Sequence, residues 1–139
     1  MRLAVTTAVL AVAAVAAMGA VAAAGGEGEP EVRTVMLVAR HSRFEPARVS
    51  VPPGTTVRFV VVNRDPIDHE LIVGDPATHA RHEAGREAHH HGEVPGEVSV
   101  PAGTTAVTTY RSSTPGDVVF ACHLPGHFAY GMAGVLTFE

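Results

Sequence analysis

Alternation of apolar and polar positions is clearest at Thr55-Thr56-Val57-Arg58-Phe59-Val60-Val61-Val62-Asn63. Val57, Phe59 and Val61 fall on one face of an extended chain and Arg58 on the other, the period-two signature of a half-buried β-strand. Seven more short runs rich in Val, Thr and Phe read the same way: 33–39, 48–51, 70–73, 97–100, 104–110, 117–121 and 134–138. Between them stand Pro52-Pro53-Gly54, Pro101-Ala102-Gly103 and Pro115-Gly116, which are turn chemistry. About eight strands at this spacing predict an all-β domain, a β-sandwich. The run 117–122 is apolar at successive positions, as suits a strand inside the sandwich that delivers Cys122 to a loop.

Two stretches depart from the strand pattern. Residues 1–24 are Arg2 followed by an almost unbroken run of Leu, Val and Ala that ends in small residues. A positive start, an apolar middle and a small-residue end form a secretory signal peptide, expected to be cleaved, with an uncleaved N-terminal anchor as the alternative. Residues 25–31 then read as a flexible Gly/Glu spacer and 32–139 as one domain. The second departure is 75–96, polar and His-rich, expected to be an irregular short helix around 77–88 or a mobile loop outside the core.

Charge narrows the function classes. The 139 residues carry 14 acids against 10 basic residues, all of them arginine, for a formal charge of −4. This acidic balance excludes nucleic acid as a partner. An exported chain with one cysteine has no internal disulfide, so Cys122 is a structural thiol, an intermolecular partner or a metal ligand.

Its neighbours favour the metal. The run Cys122-His123-Leu124-Pro125-Gly126-His127-Phe128-Ala129-Tyr130-Gly131-Met132 spaces a thiolate, an imidazole and a thioether along one loop. Soft sulfur with imidazole suits copper, and blue copper sites take two histidines and a cysteine with a weak axial methionine. The missing histidine lies upstream: His69 fits best, between a turn and a β run, with His41 and the histidines of 75–96 as competitors.

The loop Cys-His-x-Pro-Gly-His-x-x-x-Gly-Met resembles that of the cupredoxins, the small blue copper proteins, in its exported bacterial form. The segments 44–59 and Asp68-His69-Glu70-Leu71 resemble the family's early strands and first-ligand segment. The resemblance implies an eight-stranded Greek-key sandwich holding one type 1 copper per chain on His69, Cys122, His127 and Met132. It further implies a monomeric single-electron carrier, with copper handling in the periplasm or at the cell surface as the alternative. A redox partner would dock near His127 and Phe128, and a membrane would enter only through an uncleaved N-terminus. Many members carry asparagine after the first histidine, where Glu70 stands here, which implies altered surroundings for the metal. Ala121 precedes Cys122 where multicopper oxidases have a histidine, so no enzyme is expected and His123 is not expected to bind metal. His79, His82, His89, His90 and His91 are weighed as a weak Cu(II) or Zn(II) site against a solvated loop that holds nothing tightly, and the loop is the expectation.

Overall fold

In the computed structural model, which describes residues 31–85, 90 and 92–139, nine strands form two sheets. The first has strand order β2-β1-β4-β7, from β1 (Val32–Arg40), β2 (Arg43–Glu45), β4 (Thr56–Asn63) and β7 (Thr105–Arg111). The second has order β3-β9-β8-β5-β6, from β3 (Arg48–Val51), β5 (His69–Gly74), β6 (Glu97–Val100), β8 (Gly116–Ala121) and β9 (Ala133–Phe138). Consecutive strands pair at β1–β2, β5–β6 and β8–β9, and at the other five connections the chain crosses to the opposite sheet, as a Greek-key sandwich requires. Residues 1–24 and most of the 25–31 spacer lie outside the described residues. Among the described residues, no helix is long and apolar enough to cross a membrane.

The sandwich interior follows the alternation. Val57, Phe59 and Val61 of β4 are fully buried while Arg58 is exposed, and they meet Leu71 and Val73 of β5, Phe120 of β8 and Leu136 and Phe138 of β9 in one core. Phe120 is the hub of its aromatic part, with ring centroids 5.8 Å from Phe44 and 6.1 Å from Phe59.

Three expectations are amended. The pattern misses β2, because three residues with only Phe44 buried carry no readable period. Strand β8 lies inside its sheet, between β9 and β5, yet it is not buried on both faces, since Val119 points outward and is 37% exposed. While His89 and His91 lie outside the described residues, the described part of the His-rich segment is less solvated than expected. It opens with a helix, α1 (Pro76–Glu83), whose N-cap Asp75 accepts the Thr78 amide at 2.7 Å and whose first turn holds a proline, the two start signals a helix favours. This helix buries His79 and His82.

Candidate metal centre

One end of the sandwich gathers two connections. Strand β8 ends at Ala121 and β9 starts at Ala133, so the loop 122–132 between neighbouring strands is short and bound to itself. The Cys122 amide donates to the Met132 carbonyl at 3.1 Å, the Met132 amide to the His127 carbonyl at 3.0 Å, and the His127 amide to the Leu124 carbonyl at 2.9 Å. Gly126 and Gly131 take positive φ of 84° and 85°, which lets so short a loop turn back on itself. From the other sheet, an Arg43 guanidinium nitrogen donates to the Tyr130 carbonyl, fastening β2 to the loop.

His69 opens β5, beside β8. Its Nδ1 lies 3.3 Å from His127 Nδ1, which lies 3.2 Å from Cys122 Sγ. One ligand atom from each of His69, Cys122 and His127 therefore falls within 4.8 Å of the others. Donor atoms at metal bonds of about 2.0–2.3 Å stand roughly 3.3–3.7 Å apart, so a single ion fits between these three with little movement. Cys122 and Met132 are fully buried and His69 nearly so, while His127 is half-buried. Met132 closes the loop through its backbone beneath Cys122. The alternative upstream ligand His41 sits exposed in the β1–β2 turn.

Electrostatics favour a neutral ring and a protonated thiol until a metal arrives. Burial pushes the Cys122 thiol up to about 11, partly offset by backbone amides of Glu70 and Leu124 that hydrogen-bond to the sulfur. Burial, and next the neighbouring His69 ring, hold the His127 imidazole below its ordinary value, which favours the neutral ring that a metal needs.

The residue that sequence reasoning missed is Asp65. Its Oδ2 lies 2.8 Å from His69 Nε2, so with Nε2 as the donor the carboxylate fixes the tautomer and leaves Nδ1 for the metal. Asp65 is itself held by the His41 amide on Oδ1 at 2.7 Å and the Ser42 amide on Oδ2 at 2.9 Å. Burial works to raise its carboxyl, but the Ser42 amide, the His69 ring and the His41 amide outweigh that and keep it below the usual range. Asn63 shapes the turn that presents it, accepting the Asp65 amide on Oδ1 and donating through Nδ2 to the Ile67 and Val100 carbonyls. The sequence signal was an acid four residues before the histidine, too common a pair to single out.

Glu70 has a clear task. Its Oε1 accepts the His123 amide at 2.9 Å and so ties the first-ligand strand to the cysteine loop. His123 itself turns away from the three ligand atoms: its Nε2 lies 2.8 Å from His79 Nδ1 and its ring 4.9 Å from that of Phe128.

With this geometry in place, comparison with known proteins decides the family. The sequence matches the family described as "Cupredoxin-like domain" over residues 7–137. The chain is a cupredoxin. Among curated relatives, this cupredoxin is 37% identical over 113 residues to the copper-resistant cuproprotein CopI of Rubrivivax gelatinosus, covering 78% of the chain and 68% of that protein. It is 29% identical over 138 residues to the copper-resistant cuproprotein CopI of Pseudomonas aeruginosa, covering 77% and 76%. Among solved structures, auracyanin B matches with a TM-score of 0.62 at 25% identity, over 79% of this cupredoxin and 90% of that chain. Auracyanin A of Chloroflexus aurantiacus shares the fold with a TM-score of 0.63 at 19% identity, over 78% and 99%. Copper is the metal that this cupredoxin binds.

Proposed function

We propose that the copper is a type 1 ion held by His69 Nδ1, His127 Nδ1 and Cys122 Sγ, with Met132 as the axial ligand, and that the exported protein passes single electrons through it. The observation that carries the reading is the three ligand atoms gathered within 4.8 Å by the start of β5 and the 122–132 loop. A set of donors already in position gives Cu(II) and Cu(I) much the same surroundings, so little reorganisation accompanies electron transfer. Thiolate and thioether favour the reduced ion, imidazole serves both states, and the axial sulfur tunes the potential. The half-buried His127, with Leu124 partly exposed and Phe128 36% exposed nearby, supports a small, transient docking surface for a redox partner. Export rests on the leader-like pattern of 1–24.

Copper handling is the second reading, favoured by the printed names of the CopI relatives, which are described as copper-resistant. One experiment separates the two: reduce the copper-loaded protein with a small redox protein, with a Cu(I) chelator present, and follow colour and copper content. A carrier is reduced and reoxidised repeatedly with its copper retained; a handling protein surrenders Cu(I) to the chelator after the first reduction.

The Asp65 carboxylate gives a further check. Asp65→Asn leaves an amide that can present the wrong atom to His69 Nε2, and loss of such an outer partner costs about 10–100-fold in metal affinity. Copper competition against a chelator should show that loss in a protein whose circular dichroism is unchanged.

A further inference from the structure

We propose that the His-rich segment completes a second metal site, in which His82 Nε2, His90 Nδ1 and the Glu97 carboxylate hold a divalent ion of the zinc or copper(II) type. The inference is independent of what fills the first site. His82 Nε2 stands 3.2 Å from Glu97 Oε1, and His90 Nδ1 stands 3.3 Å from Glu97 Oε2. One ligand atom from each residue lies within 4.8 Å of the other two. Nitrogen and oxygen donors around a tetrahedral ion, bound at about 2.0–2.1 Å, are separated by roughly 3.3 Å.

One of these ligand atoms lacks an ordinary partner. His82 and Glu97 are only 4% and 5% exposed, yet the His82–Glu97 approach lacks hydrogen-bond geometry and leaves His82 Nε2 buried with no partner. A buried polar atom without a partner is uncommon and calls for an occupant. A metal ion supplies one, because it accepts the imidazole lone pair that a carboxylate cannot.

Each ligand comes from anchored backbone. Helix α1, capped by Asp75, carries His82 in its last turn. The His90 amide donates to Ser99 Oγ at 2.9 Å and its carbonyl accepts the Ser99 amide at 2.7 Å, which pins it to β6. Glu97 opens β6 opposite Ile72, and its Oε1 takes a 3.0 Å hydrogen bond from Arg81, leaving Oε2 toward His90. Positions fixed in this way hold a coordination geometry better than a free loop does.

Chemistry sets the ion. Two imidazoles and a carboxylate suit zinc or copper(II), whereas Cu(I) seeks sulfur, and this site has none. Three protein ligands leave the fourth position to water. The His123 ring, next in sequence to Cys122, borders the cluster at 6.2 Å from that of His82.

The test is a zinc titration of the protein already loaded with one equivalent of Cu(II), with metals counted after gel filtration. The wild type should retain one zinc per chain, and His82→Gln/Glu97→Gln should retain none while keeping the visible spectrum of the copper. Cys122→Ser, titrated with zinc alone, should still retain it and lose it when His82→Gln/Glu97→Gln is added, which separates this site from the first. Long-range nitrogen–proton spectra of the wild type give a reading that needs no variant: zinc should shift the His82 and His90 side-chain resonances and leave His41 unmoved. No retained zinc in the wild type, retention in the double variant, or His82 and His90 resonances that stay in place would each overturn the proposal.

Discussion

Cys122→Ser should abolish the intense visible absorption of the copper-loaded protein and weaken copper binding more than any other single substitution in the loop. The thiolate is the one anionic, strongly covalent donor among the four proposed ligands, and its bond to copper is the source of the colour. Serine offers a hard oxygen that stays protonated in a pocket that already penalises charge, where burial pushes even the thiol up to about 11. The side chain is fully buried and serine is slightly smaller, so the fold should survive, with the melting temperature of the metal-free protein changed by only a few degrees. A variant that kept its absorption band would place the colour elsewhere and remove the basis for a type 1 centre on this loop.

Gly134→Ala should be the most damaging small change to stability. A methyl group there would fall within the van der Waals envelope of Phe120 Cζ and 2.5 Å from the Ala47 carbonyl oxygen. Overpacking of this kind costs about 3 kcal/mol, which for a domain of this size lowers the melting temperature by roughly 10 °C. Trimming the ring in Phe120→Leu/Gly134→Ala should recover little, because the Ala47 carbonyl belongs to the backbone and does not yield. Thermal unfolding of the three proteins gives the answer; full recovery in the double variant would mean that the ring alone set the cost. The change also bears on the copper, since Gly134 pairs with Phe120, two residues before Cys122.

Strands with a long alternating stretch were legible because a one-sided core imposes period two on the sequence, and β4 is the clearest example. The 122–132 loop was legible because its ligands are close in sequence, so spacing alone carries the chemistry. What escaped depends on contacts between distant segments. Asp65 matters through the His41 and Ser42 amides, 24 and 23 residues away, and nothing local distinguishes it from any turn aspartate. Glu70 was noted as a departure, but its bond to the His123 amide spans 53 residues. The burial of His79 and His82 was hidden by their polarity: a helix with no large apolar residue looks solvated until β8 and the cysteine loop are seen packed against it.

The turn at His41 and Ser42 links two parts of the molecule. Both residues have φ of 52°, the left-handed pair of a type I′ hairpin, made here without the glycine or asparagine such turns favour. Their amides end on the carboxylate that orients His69, so a conformational cost in an exposed hairpin is shared with a buried imidazole. Replacements at these two surface positions therefore offer a remote adjustment of the copper site: relaxing or tightening the turn repositions Asp65 and through it the ring of His69, with every proposed ligand left in its natural form.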